Sequence, residues 1–487
     1  MTKPLIGIDI GTSSSKGVLV DPDGRVHAVV VRDHQTSSPY PDWAEHDALD
    51  IWWADFRSIC QELMGITGSV AAIGVSGIGP CLLPCDKDGE PLRPAILYGV
   101  DTRASREIVE LTDRYGADEI NARCASYLTS QSIGPKMLWL RRHEPETWAA
   151  TRYWMMCTSY LIHRLTGSYV LDHNSASQAA PLYDLWQRAW IGQWCTDIAP
   201  NVLWPDLCSP TDIVGYISRR AAAETGLPMG TPVVCGTIDA LAEACSVGVS
   251  EVGEVMIMYG TTLLTLAIVD KQEYQGGTGT SIGINAGIFP GTYHLNANLT
   301  TAGAIMRWLR DLTRSSFDDL IDSARTVGVG ADGLMMLPHF AGMRTPIFRP
   351  HARGAIVGLT LQHTPGHLYK AALEGTAYGL RHNFEAMIKS GARPTRCVAV
   401  GGGTRGGLWA QVVSDVLQVQ QIIPKNTVGA AFGDALLAGI SVELVNSFHD
   451  WNPADTTINP DPAVADRYKT LYGHYLDLYH LLDNADA

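Results

Sequence analysis

The sequence has no surplus of positive charge. It carries 36 Lys and Arg against 50 Asp and Glu, a formal net charge of −14 at pH 7. Non-specific nucleic-acid binding needs a basic surface to displace counterions, so that class is excluded. An anionic ligand is not, because a glycine-rich nest or a helix N-terminus binds phosphate on an acidic protein. The ten cysteines contain no C-x-x-C pair; Cys81 and Cys85 come nearest, and no second pair accompanies them. They are too sparse for a disulfide scaffold and lack zinc-ligand spacing, so they read as reduced core residues of a cytosolic protein. No apolar run approaches the ~20 residues of a membrane span. The leading segment runs straight into Leu5-Ile6-Gly7-Ile8-Asp9-Ile10, without the cationic lead and long apolar core of a signal peptide. The expectation is a cytoplasmic protein with neither nucleic acid nor membrane as partner.

What is there is a globular composition. The chain has 487 residues, 46% hydrophobic and 18% charged, too long for one ordinary core and suited to two domains. Leu5 to Ile10 is an apolar strand interrupted by one carboxylate, Asp9. The small-residue turn Gly11-Thr12-Ser13-Ser14-Ser15 follows, and Lys16 to Val20 resumes as a strand; the signals are those of a β-hairpin. The segment Val255 to Val269 has the same form, with Gly260-Thr261 falling where Gly11-Thr12 does. Two matched hairpins, one opening each half, predict two similar domains facing each other. Glycine and small hydroxyl residues at the tips permit close backbone approach, so N–H and O–H donors can surround phosphate oxygens.

Elsewhere strand and helix patterns alternate. Ala71 to Ser76, Pro232 to Cys235 and Cys397 to Val400 read as buried strands, and His367 to Met387 and Leu408 to Leu417 have helical apolar spacing. The chain is α/β. The boundary is expected near residues 246–252, giving lobes 1–247 and 248–487. Trp451 to Pro462 is rich in Pro, Asp and Asn and reads as a loop leading into a final helix.

Together with three further motifs, the hairpin pair resembles the FGGY family of carbohydrate kinases, within the actin-like ATPase superfamily. Ile6 to Ser13 resembles its first phosphate hairpin, Gly236-Thr237-Ile238-Asp239-Ala240 its catalytic segment, Gly354 to Glu374 its C-terminal signature, and Gly401-Gly402-Gly403 with Gly406 its adenosine loop. The resemblance implies two actin-like (ribonuclease H-like) ATPase lobes around a central cleft. The broad motif set is xylulokinase-like, which implies ATP-dependent phosphorylation of a pentulose such as xylulose at a terminal hydroxyl. Other acceptors stay open: another polyol, ketose or sugar acid. So does a different class, an actin- or chaperone-like ATPase without a sugar substrate.

By residue type alone Asp239 reads as the cap of a helix beginning at Ala240. The resemblance gives it the role of base, accepting the proton of the attacking sugar hydroxyl. It also places Asp9 near the Mg²⁺ that accompanies ATP, a hard cation suited to oxygen ligands. The implied ATP contacts are Gly11, Thr12 and Ser13 on one hairpin, and Gly260, Thr261 and Thr262 on the other. Gly303 and Arg307 in a helix over the nucleotide and Gly402, Gly403 and Gly406 around adenine complete them. Gly303 is expected to admit the phosphates, and Arg307 reads equally as a solvated helix charge. The sugar site departs from the family pattern: Gly79-Pro80 stands where xylulose kinases carry Met-His and glycerol kinases Arg-Glu. Asp101 is the leading sugar-hydroxyl acceptor, or else a turn residue capping the next helix, and Gln131 and Ser132 line the same pocket. A homodimer is a family expectation only.

Overall fold

The computed structural model describes residues 3–275 and 280–483. Its chain divides into two units. The first holds Met1–Ser250, Asn285–Gly291 and Val428–Asn452; the second holds Glu251–Ile284, Thr292–Thr427 and Pro453–Ala487.

In the first unit the strand Leu5–Ile10 lies inside a sheet, and Leu5, Ile6, Ile8 and Ile10 are fully buried. Burial on both faces is why its pattern is continuously apolar rather than alternating. The sheet runs in the order Ile213–Tyr216, Pro232–Val234, Ile73–Gly77, Leu5–Ile10, Ser14–Val20, Val26–Asp33. Leu5–Ile10 turns back antiparallel into Ser14–Val20, with Ile10 opposite Ser15, and pairs parallel with Ile73–Gly77, with Ile10 opposite Gly77. The short strand Thr237–Ile238 extends the edge of Ile73–Gly77, Thr237 lying opposite Ser76.

The helix Ala430–Ser441 comes from the second half of the sequence and packs on Leu5–Ile10 and Ile73–Gly77 of the first unit. Two strand glycines make this approach possible. A Cβ on Gly7 would sit 1.9 Å from the Ala431 carbonyl oxygen, and one on Gly74 would sit 2.0 Å from that of Asp434. A single boundary at 247–248 therefore misses this return, because the close approach is specified by glycines far away in sequence.

The second unit repeats the plan. Glu254–Tyr259 turns back antiparallel into Leu263–Asp270, with Tyr259 opposite Leu263, and pairs parallel with Arg396–Val400, with Met258 opposite Val400. Helices Pro365–Lys389 and Leu408–Leu417 agree with the helical spacing in the sequence. The loop expected over Trp451 to Pro462 contains a strand instead: Ala454–Ile458 pairs antiparallel with Gln421–Pro424. It is an edge strand with four exposed residues before buried Ile458, so no apolar alternation announces it.

The cysteine expectation also changes. Cys208 and Cys235 form a disulfide, while the eight others are free and buried. Backbone bonds from Cys235 N to Asp212 O and from Gly236 N to Pro210 O bring their segments together, a proximity that spacing along the chain does not reveal. Among the described residues no helix is long and apolar enough to cross a membrane.

Candidate active site

The polar centre of the first unit is built on the carboxyl ends of three neighbouring strands. Asp9 is the penultimate residue of Leu5–Ile10, Ser76 the penultimate residue of Ile73–Gly77, and Asp239 follows Thr237–Ile238 at the first turn of the helix Asp239–Ser246. Asp239 Oδ1 accepts from the Ala240 amide at 2.7 Å. The helix starts on Asp239 itself, with Ile238 at the cap position, so Asp239 is a strand-end carboxylate in the first turn and not the cap of a helix beginning at Ala240. Asp9 and Asp239 are half-buried, as is Glu243 one turn further along the helix.

These carboxyls crowd one another. Burial raises the pKa of Asp239, and the charges of Asp9 and Glu243 raise it further. Burial also raises Asp9, opposed by its bond from Ser76 and by the charge of Lys16. Glu243 is pushed up to about 7 by burial and Asp9, with Lys16 and the Ala430 amide pulling the other way. Lys16 donates from Nζ to the Val428 carbonyl at 2.7 Å, which fixes the cation on the strand that faces Asp9 across the hairpin (Asp9 opposite Lys16).

Ser76 links this cluster to a fourth carboxyl. Its Oγ lies 3.0 Å from Asp9 Oδ1 and 2.7 Å from Asp434 Oδ2. A hydroxyl has one proton to give, so one of the two acids must supply another. Asp434 is fully buried and its Oδ1 has no hydrogen-bond partner. Burial, reinforced by the charge of Asp9, drives its pKa well above the usual carboxylate range. Asp434 is therefore the neutral acid: it donates to Ser76 Oγ, and Ser76 donates to Asp9. Sequence reasoning missed Ser76, Glu243, Lys16 and Asp434. The last had a signal, since a lone acid in Ala430-Ala431-Phe432-Gly433-Asp434-Ala435-Leu436 is as conspicuous as Asp9 in its strand.

The hairpin tip of the first unit is a tight turn, Gly11 N donating to Ser14 O at 3.0 Å. Thr12 Oγ1 lies 3.3 Å from the Tyr98 hydroxyl, and Ser13 is exposed. In the second unit Gly260 N donates to Thr262 O at 3.0 Å. The helix Gly303–Thr313 starts against that tip, with Gly303 N donating to Gly260 O and Ala302 and Ala304 N to Thr261 O, each at 3.1 Å. A Cβ on Gly303 would sit 2.4 Å from Gly260 O. It is the hairpin, then, that needs glycine at 303, whatever the phosphates require. Arg307 reaches the same tip, Nη2 donating to Thr261 Oγ1 at 3.1 Å. Gly402 has open space around it, Gly403 lies against the Trp409 ring, and Gly406 has φ +76°. The three sit between the strand Arg396–Val400 and the helix Leu408–Leu417.

The expected sugar residues fare unevenly. Gly79 and Pro80 follow the strand Ile73–Gly77, and a Cβ on Gly79 would sit 2.9 Å from Ile238 Cδ1, next to Asp239. Gln131 is exposed beside Gly99. Ser132 is buried and its hydroxyl accepts from the Thr129 amide at 3.1 Å, closing a turn. Asp101 is not an open acceptor. Its side chain is 0% exposed; Oδ2 takes bonds from Ala44 N at 2.8 Å and Arg103 Nη2 at 2.6 Å, and Oδ1 from Arg103 Nε at 2.9 Å. A buried guanidinium two residues away claims the carboxylate, a pairing that the turn reading overlooked. Among the described residues no group of three or more His, Cys, Asp or Glu side chains is arranged to hold a metal by itself.

Comparison with known families decides what this geometry belongs to. The N-terminal domain model of the FGGY family of carbohydrate kinases matches residues 5–245, and its C-terminal domain model matches residues 255–442. The chain belongs to the FGGY family of carbohydrate kinases. It is 31% identical over 459 residues to the xylulose kinase of Escherichia coli, with 92% of each chain covered. It is 29% identical over 491 residues to the glycerol kinase of Nocardia farcinica, with 96% of each covered. The crystal structure of xylulose kinase from Rhodospirillum rubrum superimposes with a TM-score of 0.91 at 31% identity, covering 99% of both chains. As an FGGY kinase the chain has the two-lobe actin-like ATPase fold and is a phosphotransferase, moving a phosphoryl group from ATP to a carbohydrate.

Proposed function

We propose that this kinase phosphorylates a pentulose such as xylulose at a terminal hydroxyl, in the cytoplasm, with Asp239 as the base. The observation that carries the residue assignment is the position of Asp239: partly buried, at a strand end, beside a second carboxylate, with its pKa raised by burial and by Asp9. A base that binds a proton more readily than an ordinary carboxylate is suited to take one from an alcohol. The xylulose kinases of comparable length among its relatives support a pentulose as acceptor.

Phosphoryl transfer asks the protein for positioning and charge stabilisation more than for covalent chemistry. The glycine-tipped turns Gly11–Ser13 and Gly260–Thr262 offer backbone and hydroxyl donors to phosphate oxygens, and Gly402, open on one side, leaves room for a flat base. Asp9 suits Mg²⁺: it is a partly exposed oxygen donor in a carboxylate cluster with Lys16 as its compensating cation. Mg²⁺ typically takes one or two carboxylates plus phosphate oxygens rather than a full protein cage. When bound it would spread the negative charge of the β- and γ-phosphates. The protein's own contribution is to keep Asp9 oriented through Ser76, and to place Asp239 where its raised proton affinity serves the incoming hydroxyl.

A second acceptor class has a specific basis. With Asp101 locked to Arg103 and Gly79-Pro80 offering no side-chain hydrogen bond, the usual sugar-binding groups are missing, and one relative is a glycerol kinase. Measuring ADP release with pentuloses, pentitols, glycerol and sugar acids decides between them. A pentulose should give the highest kcat/KM; preference for glycerol or a sugar acid overturns the pentulose assignment, and hydrolysis indifferent to any acceptor overturns the base.

A further inference from the structure

Behind the first hairpin tip, the segment His34 to Thr36 binds three consecutive carbonyls. His34 Nε2 lies 3.1 Å from Gly11 O, Thr36 Oγ1 lies 3.2 Å from Thr12 O, and the His34 backbone amide donates to Ser13 O at 3.0 Å. In a trans peptide the C=O and the following N–H point in opposite directions. Drawing the carbonyls of Gly11 and Thr12 towards this segment therefore turns the N–H groups of Thr12 and Ser13 away from it, outward from the tip.

The protons in this layer can be assigned one by one. Thr36 gives its hydroxyl proton to Thr12 O, so it accepts from His46 Nε2 at 3.1 Å, and His46 Nδ1 accepts from Trp52 Nε1 at 3.1 Å. His46 is thus neutral, in keeping with a pKa lowered to about 4 by burial and by the charge of His34. His34 differs. A carbonyl oxygen only accepts, so Nε2 must carry a proton; Nδ1 lies 2.9 Å from Asp55 Oδ2, a carboxylate that also accepts from Ser15 Oγ at 2.7 Å. Both ring nitrogens donate, which makes His34 an imidazolium. Its side chain is 6% exposed and that of Asp55 is 17% exposed. Burial works against the charge, but the bonds to Asp55 and Gly11 O, with the charges of Asp55 and Asp33, raise its pKa overall. The charged or titratable groups around it are Asp55 on the helix Ala54–Ile66, Asp33 at the end of the preceding strand Val26–Asp33, and His46, whose ring packs edge-on at 5.2 Å.

We propose that His34 is a positioning residue for ATP: a buried imidazolium, held by Asp55, that pins the Gly11 carbonyl and so aims the hairpin's N–H donors at a nucleotide phosphate. It also adds one positive charge behind a tip that receives an anion. The proposal rests on the reading of Gly11–Ser13 as a phosphate-binding turn.

The test is steady-state kinetics from pH 5.5 to 9 on the full chain and on His34→Gln, His34→Ala, Asp55→Asn and Gly11→Ala, with thermal midpoints measured alongside. A hydrogen bond to a charged group is worth enough that His34→Ala should raise KM for ATP about tenfold or more, while KM for the sugar stays within about twofold. Glutamine can still donate to Gly11 O but cannot be charged, so His34→Gln should recover part of that loss. In the native enzyme KM for ATP should rise as pH climbs through the raised His34 pKa. That limb should disappear in His34→Gln and shift to lower pH in Asp55→Asn. ¹⁵N-histidine NMR gives a readout independent of activity: the resonances lost in His34→Gln should show both nitrogens protonated at neutral pH. An unchanged KM for ATP in His34→Ala, a limb that survives in His34→Gln, or a singly protonated ring each overturns the proposal. If Gly11→Ala raises KM for ATP and the His34 variants do not, only the proposal falls. If none of the four variants changes it, the phosphate-hairpin reading falls first.

Discussion

The Ser76 hydroxyl sits 2.7 Å from the carboxyl of Asp434, on a helix that reaches it only because Gly74 has no side chain. That contact supplies Asp9 with a fixed donor and leaves a neutral acid in the core. A carboxyl whose folded pKa is raised keeps its proton in the fold after the unfolded chain has lost it. It therefore subtracts stability as pH rises from the unfolded value towards the folded one, with a slope of about 1.4 kcal/mol per pH unit for one proton. Asn at 434 can donate to Ser76 without titrating. Asp434→Asn should keep turnover within about threefold and gain stability relative to the native protein as pH rises above the ordinary carboxylate range, read by chemical denaturation. A difference that does not change with pH would mean Asp434 is ionised.

The carboxylate cluster predicts the acid side of the pH–rate profile. Burial and the charge of Asp9 raise Asp239, so kcat/KM should fall with decreasing pH along a limb above the ordinary carboxylate range. Glu243 adds to that rise. Glu243→Gln should move the limb to lower pH, and a limb that stays put would show that Glu243 does not influence the base.

Two glycines should respond oppositely to alanine. At Gly74 the new Cβ would meet the backbone oxygen of Asp434 at 2.0 Å, where nothing flexible can yield, so Gly74→Ala should cost about 3 kcal/mol or more. Gly473 lies inside the helix Ala465–Asp483 with nothing within 4 Å. Gly473→Ala should stabilise by about 0.5–1 kcal/mol through helix propensity. Thermal unfolding of both variants checks the contrast.

At the second hairpin, Gly303→Ala would drive a Cβ to 2.4 Å from Gly260 O and displace the tip. KM for ATP should rise roughly tenfold with the sugar KM unaffected, as expected for a phosphate-positioning loss of about 1.4 kcal/mol. An equal rise in both would indicate general damage.

Much of the architecture was legible because its signals are local. Small residues between apolar runs announce both hairpins, and a single acid inside each of two apolar segments marks Asp9 and, unread, Asp434. What was not legible depends on contacts between distant residues. The return of Ala430–Ser441 to the first unit is specified by Gly7 and Gly74, which carry no pattern on the helix itself. The edge strand Ala454–Ile458 is polar along most of its length and looks like a loop. Asp101 read as a sugar-hydroxyl acceptor or a turn residue capping the next helix, because the folding back of Arg103, only two residues away, onto its carboxylate leaves no mark in the sequence. His34 gave no sign in the sequence, since its contacts with the Gly11 and Ser13 carbonyls exist only when the segment after the strand Val26–Asp33 lies behind the hairpin tip.

Asp239 is proposed to take the proton of the attacking hydroxyl. Transfer of label from γ-³²P-ATP to xylulose by the native enzyme and by Asp239→Ala, at matched ATP occupancy set by equilibrium binding, tests it most directly. Loss of a general base predicts unchanged ATP affinity and transfer reduced by about a thousandfold or more. Transfer within about tenfold of the native rate, with ATP bound equally well, would contradict it.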